Sequence, residues 1–116
     1  MTTVHDPENF ICGDNWQIVG PLLDGTGAPL NLTGATIQWK LDTADGLANV
    51  LTLDNAGNGG VVVVEPSTAT ILVNVTAARS RDIAPGTYRD WLRVTLANGA
   101  VFTEWTGIIR ADLNPA

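Results

Sequence analysis

The sequence has few of the residues from which catalytic and metal sites are built. Its 116 residues include one cysteine, Cys12, and one histidine, His5. A single cysteine excludes a disulfide within the chain, and these two residues alone are too few ligands for a structural zinc site. A nucleophilic triad needs a base, and His5 lies in an N-terminal tail, residues 1–9, that we expect to be flexible. We therefore expect no metal, no cofactor and no enzymatic activity.

Charge is also scarce, and most of it has one sign. Charged residues make up 16% of the chain, with six basic and twelve acidic residues and a net charge of −6. The electrostatic field of a molecule with this net negative charge repels the phosphate backbone of nucleic acids, so we expect no nucleic-acid partner. The apolar runs are too evenly interrupted to span a membrane, and the N-terminus has no basic or apolar signal region. We expect a protein that stays in a reducing cytoplasm and has no membrane partner.

Short apolar runs recur about every ten residues, and each is bounded by Gly, Pro, Asn or Asp. This spacing is typical of a sandwich or barrel. The predicted strands cover residues 16–23, 32–41, 50–53, 60–65, 70–75, 87–96 and 100–110. One short helical turn is predicted over residues 76–86, with Thr76 as its N-cap. The chain therefore predicts a single domain, residues 1–116, with the all-β fold of an immunoglobulin-like antiparallel β-sandwich of about seven strands.

The segment before Trp105 predicts a β-hairpin in detail. Asn98-Gly99 lies between two alternating runs, which favours a two-residue type I′ turn. On one side of this hairpin Leu92 then faces Trp105 and Tyr88 faces Ile109, a mostly apolar set that we place in the core. The pairs on the outer side are Thr95 with Phe102, Arg93 with Glu104, Trp91 with Thr106, and Arg89 with Ile108.

The outer side of this hairpin is the predicted interaction surface. Its apolar centre consists of Trp91, Phe102 and Ile108, and its charged rim of Arg89, Arg93 and Glu104. Exposed aromatic and arginine side chains are typical of interface hot spots. A partner subunit would cover this surface, or a loop or the N-terminal tail of the same chain would. An alternative is a carbohydrate-binding module in which exposed Trp91 stacks on a sugar ring.

Several other residues have a structural interpretation. The alternation of inward and outward side chains along residues 32–41 places Trp39 in the core. Tyr88, which follows Pro85-Gly86, fits the tyrosine corner of Greek-key sandwiches. Asp90 falls on the inner side, so it lies at a strand end near solvent or is hydrogen-bonded into a neighbouring turn. The oxygen-bearing loop residues Asp24, Asp54, Asn55 and Asn58 lack the spacing of a calcium loop, and turn formation explains them better.

The order of the turns resembles the small immunoglobulin-like modules of tailed bacteriophages and prophages, and is similar to the N-terminal domain of the baseplate upper protein. The matching segments are Asp24-Gly25, residues 31–36, residues 83–88 and Asn98-Gly99. The resemblance implies a non-catalytic virion or tail component. It further implies partners that are other tail proteins or a second copy, in a homo-oligomer or larger assembly. Such a protein would be found in the bacterial cytoplasm during assembly and then in the virion.

Overall fold

The structure is a computed structural model that describes residues 3–4 and 10–112, with side chains from residue 12 onward. These described residues form nine strands: β1 (Thr3–Val4), β2 (Phe10–Ile11), β3 (Trp16–Pro21), β4 (Thr36–Thr43), β5 (Asn49–Asp54), β6 (Val61–Glu65), β7 (Thr70–Val75), β8 (Gly86–Thr95) and β9 (Val101–Asp112). A 3-10 turn covers Pro66–Thr68, and the helix α1 covers Ala77–Arg81. The tail predicted over residues 1–9 lies outside the described residues, except for the two that form β1.

The seven longer strands form two antiparallel sheets. One sheet has the order β9-β8-β4-β5, and the short strands β1 and β2 pair in parallel with β9. The second sheet has three strands in the order β3-β7-β6. This is the strand order of an immunoglobulin-like sandwich, with one short helical turn in a crossover. The predicted fold class is therefore confirmed.

The core lies between the sheets and follows from alternation along the strands. In β4, Ile37, Trp39 and Leu41 are fully buried while the residues between them are partly exposed. Trp16 from the opposite sheet packs against Trp39 with ring centroids 5.8 Å apart. Successive strand side chains point to opposite faces, so a strand that alternates in polarity buries its apolar half. The predicted core position of Trp39 is confirmed.

The crossover from β7 to β8 is held by side-chain caps. The Thr76 hydroxyl accepts a hydrogen bond from the Arg79 N–H at 3.3 Å, so Thr76 is the N-cap of α1, as predicted. The helix ends at Arg81, earlier than Pro85-Gly86. The Tyr88 hydroxyl donates to the carbonyl of Ala84, which ties the start of β8 to the preceding chain. This contact confirms the tyrosine corner.

The β8–β9 hairpin differs from its predicted register. The loop has three residues, 97–99, because the Leu96 N–H donates to the Ala100 carbonyl at 2.8 Å. Gly99 has a φ of 88°, but Asn98 does not have the positive φ that a type I′ turn requires. A β-bulge between Leu92 and Arg93 then absorbs the difference of one residue. The two-residue turn was therefore wrong, although the pairs beyond the bulge, from Leu92 with Trp105 onward, are as predicted.

Candidate functional site

The outer side of the larger sheet carries the candidate site. The register places Lys40 opposite Trp91, Asp42 opposite Arg89 and Gln38 opposite Arg93. We call these six residues the Trp91 face. Their side chains point away from the core because the alternate residues of β4 and β8 are the buried ones.

A shallow cleft runs along the Trp91 face between β4 and β8. It encloses about 160 Å³ and is lined by Gln38, Lys40, Asp42, Trp91 and Arg93. Sites for whole small molecules usually measure about 300–1,000 Å³. The cleft is therefore large enough for one ring or one side chain of a larger ligand.

Trp91 is the tryptophan that the fold leaves accessible. Trp16, Trp39 and Trp105 are buried, whereas Trp91 is half-buried. The Arg89 guanidinium carbon lies 5.4 Å from the centroid of the Trp91 ring, within the range of a cation–π interaction. The Nε of Arg89 is buried and has no hydrogen-bond partner in the described part of the chain. Arg89 is therefore held beside the indole by packing and ring electrostatics.

The basic residues of the chain are concentrated on this side of the molecule. Four of the six lie on the outer side of the larger sheet, namely Lys40, Arg89, Arg93 and Arg110, with three of the ten acids of residues 12–112, Asp42, Asp54 and Asp112. Within residues 12–112, no ion pair engages a basic residue of the Trp91 face. The Asp42 carboxylate accepts instead from the Asn49 side-chain amide at 3.0 Å. Three cations therefore surround an accessible indole without an anionic partner among the described side chains.

Four of the six residues of the predicted interaction surface share this outer side. Trp91, Arg89 and Arg93 lie on β8, and Ile108 lies opposite Arg89 on β9 with 54% of its surface exposed. Sequence reasoning did not identify Gln38, Lys40 and Asp42 as site residues. Their alternation placed Gln38 and Lys40 outward, but the β4–β8 pairing that brings them to Trp91 joins segments about 50 residues apart.

The other two residues of that surface are placed elsewhere. Phe102 pairs with Val94, which is fully buried, so Phe102 faces the interior rather than the surface beside Trp91. Glu104 is the extra residue of the β-bulge and is only 3% exposed. The predicted outward positions of Phe102 and Glu104 were therefore wrong. The reason is that the three-residue loop shifts the register by one between the turn and the bulge.

Glu104 is a buried carboxyl group with incomplete hydrogen bonding. The Leu23 backbone N–H interacts with its carboxyl group, but its Oε1 has no hydrogen-bond partner among the described residues. Burial raises the pKa of Glu104, because removal from water disfavours the charged form.

Asp90, in contrast, is a buried carboxyl group with an identified partner. It is fully buried on β8, and its Oδ2 accepts from the Trp39 indole N–H at 2.9 Å. A position near solvent is therefore wrong. Asp90 is hydrogen-bonded, as the second interpretation expected, and this partner, Trp39, lies on the adjacent strand β4.

The oxygen-bearing side chains in the loops, which could have suggested a cation site, accept hydrogen bonds within turns instead. Asp24 accepts from the hydroxyl of Thr26 at 2.6 Å and from the N–H of Ala28 at 3.1 Å. The hydrogen bond from the Thr26 hydroxyl is the main reason that the pKa of Asp24 is lowered. Asp54 similarly accepts from the N–H groups of Ala56 and Asn58. Among the residues that the structure describes, no three His, Cys, Asp or Glu side chains come together as a metal site would require.

Comparison with known proteins returned a structural match only. No family model matches the chain, and no curated protein matches it. Among solved structures it is similar to CopC from Methylosinus trichosporium OB3b, with a TM-score of 0.49 and 10% sequence identity. The match covers 96% of this chain and 89% of that one. In the described part of the chain, no helix is long and apolar enough to cross a membrane.

These comparisons contradict the resemblance to phage and prophage tail modules. CopC is among the solved structures that the chain resembles, and no family model of any kind matches, so the assignment to a virion, tail or baseplate was wrong. The physical reason for the false resemblance is that the segments that carry it consist of turn-forming residues. Asp24 and Asn98 sit in turns, and Tyr88 forms a corner, because a β-sandwich of this topology requires such residues.

Proposed function

We propose that the protein is a non-catalytic binding domain whose Trp91 face takes up an acidic group of its ligand. The observation that carries this proposal is the set of three cations, Lys40, Arg89 and Arg93, around the half-buried indole of Trp91, none of which forms an ion pair with a described side chain. Cations beside a partly accessible aromatic ring offer an anion two contacts at once: charge-assisted hydrogen bonds and an apolar surface for the adjoining group.

The size and charge of the molecule restrict the ligand further. A cleft of about 160 Å³ admits one group rather than a whole small molecule. A net charge of −6 opposes a long polyanion at ordinary distances. The proposed ligand therefore presents one or two acidic groups beside a ring or another apolar group. At the same cleft Gln38 supplies a hydrogen-bond donor and acceptor, and Asp42 supplies an acceptor.

Tryptophan fluorescence gives a direct test, because Trp91 is the one tryptophan that is not buried. The probes are a short peptide with two aspartates flanking a phenylalanine and its counterpart with two asparagines. We expect the acidic peptide to change the fluorescence with saturation and the neutral peptide to leave it unchanged. Added salt should weaken the binding, since exposed charges are screened.

Substitutions identify the face responsible. Trp91→Ala should weaken binding of the acidic peptide about tenfold or more, and Lys40→Gln or Arg93→Gln about twofold to fivefold each. Arg81→Gln is the matched control, because Arg81 is an exposed base on α1, away from the Trp91 face. Equal binding of the two peptides, or an equal loss in Arg81→Gln and Arg93→Gln, would contradict the proposal. Binding of Trp91→Ala can be followed by amide chemical shifts.

A further inference from the structure

Strand β6 forms an unprotected edge of the smaller sheet. Among the described residues it pairs with β7 alone, apart from a single bridge between Gly60, just before the strand, and Asp54. Its sequence is four valines followed by Glu65, and Val62 and Val64 are each 52% exposed. Edge strands in natural proteins usually carry lysine, proline or inward charges, because unpaired backbone groups pair with another chain. This strand carries none of these before its last residue.

The surface next to this edge is apolar and almost uncharged. Val19, Leu72 and Val62 lie opposite one another across β3, β7 and β6, so they form a single row on the outer side of the smaller sheet. Val19 is 61% exposed. Glu65 is the one ionisable residue of the three strands. Two molecules of net charge −6 can therefore meet along this edge without bringing many like charges together.

We propose that β6 pairs with β6 of a second copy, antiparallel about a two-fold axis beside Val63. This joins the two smaller sheets into one sheet of six strands. In this register Val62 of each copy lies opposite Val64 of the other, and Glu65 lies opposite Val61. The two Glu65 side chains then lie at opposite ends of the pair, roughly 13 Å apart along the strands.

The sequence of β6 favours a second copy as its partner. A strand of consecutive valines matches itself in antiparallel order, so the two-fold register places β-branched side chains opposite one another. Val63 is the last residue before the β-bulge that ends regular pairing with β7. The axis therefore lies where the regular pairing with β7 ends, with residues 61–62 on one side of it and residues 64–65 on the other.

Sedimentation equilibrium between micromolar and millimolar concentration tests the association. We expect the average mass of the wild type to rise from that of a monomer to that of a dimer and to stop there. Val62→Lys should remain monomeric, because it places a charge in the contact. Val101→Lys is the matched control: Val101 is 56% exposed, but it lies on β9 of the other sheet, so this variant should dimerise like the wild type. Circular dichroism verifies that both variants are folded.

Hydrogen exchange locates the contact. The amides of β6 should exchange at least tenfold more slowly at the highest concentration than at the lowest, and those of the outer strand β5 should not change. A wild type that stays monomeric, a Val62→Lys variant that still dimerises, association beyond a dimer, or unchanged exchange in β6 would each overturn the proposal. Trp91→Ala should dimerise normally, so failure of this proposal is distinguishable from failure of the acidic-ligand proposal.

Discussion

Two carboxyl groups on adjacent strands show how hydrogen bonding affects the cost of burial. Asp90 and Glu104 are 0% and 3% exposed. Asp90 is stabilised by the indole N–H of Trp39, a neutral donor that is itself buried and needs an acceptor. Glu104 interacts with the Leu23 N–H, but its Oε1 has no hydrogen-bond partner in the part of the chain that the structure describes. We therefore expect Glu104 to oppose folding when it is ionised.

The variant Glu104→Gln should be more stable than the wild type at neutral pH. Because burial raises the pKa of Glu104 in the folded state, the unfolded chain releases this proton first as pH increases. The free energy of unfolding of the wild type should therefore decline between the ordinary glutamate pKa, about 4.3, and the higher folded value. Glutamine, which is neutral at every pH, should remove that decline.

Urea unfolding at several pH values measures this effect, and Glu65→Gln is its control. The hydrogen bond from the Ser67 hydroxyl lowers the pKa of Glu65, so its carboxylate favours folding above its ordinary pKa. Glu65→Gln should therefore lose stability near neutral pH, opposite in sign to Glu104→Gln. A Glu104→Gln variant no more stable at pH 7 than at pH 3, relative to the wild type, would show that burial does not control this group.

At the scale of elements, the β8–β9 hairpin shows how a turn sets the positions of a surface. The sequence Asn98-Gly99 correctly predicts a hairpin, but a three-residue and a two-residue loop are both compatible with it. The difference of one residue moves Phe102 from the outer side to the inner side, and the bulge at Glu104 restores the register. Trp91 and Ile108 lie beyond the bulge, so their predicted side was correct.

The conformation of Gly99 can be tested by giving it a side chain. Gly99 has a φ of 88°, and a Cβ at this position would meet no atom within 4 Å. Gly99→Ala should therefore destabilise the fold through backbone strain alone, by about 1–2 kcal/mol. Gly57→Ala is the control, because Gly57 is also in open space but lacks a positive φ. Urea unfolding that finds the same stability for both variants would contradict this account of the turn.

At the scale of the whole molecule, the two sheets approach each other closely where a glycine faces a tryptophan. An ideal Cβ on Gly20 of β3 would lie 2.9 Å from Cζ2 of Trp105 on β9. Trp105 is 7% exposed and lies opposite the fully buried Leu92. The close approach at Gly20 therefore determines how the β3 edge of the smaller sheet packs on the larger one.

Gly20→Ala should force Trp105 or β3 to move and should cost about 1–3 kcal/mol of folding stability. Gly25→Ala in the following turn is the control, because a Cβ there would meet nothing within 4 Å. Thermal unfolding compares the two variants. If Gly20→Ala unfolds at the same temperature as Gly25→Ala, the sheets do not close on Trp105 as described.

The sequence alone determined the strand positions, the helix N-cap and the tyrosine corner, because each of these features depends on residues close together in the chain. Strand positions follow from alternation and turn residues, the N-cap from Thr76 and the corner from Tyr88, and each of these depends on neighbours within a few residues. Only the tertiary structure decided that β4 pairs with β8, and so that Lys40 joins Trp91 and Arg93. It also decided that a bulge buries Glu104 and that β6 is an edge. These features depend on pairing between distant segments, where a shift of one residue reverses the side that each side chain occupies.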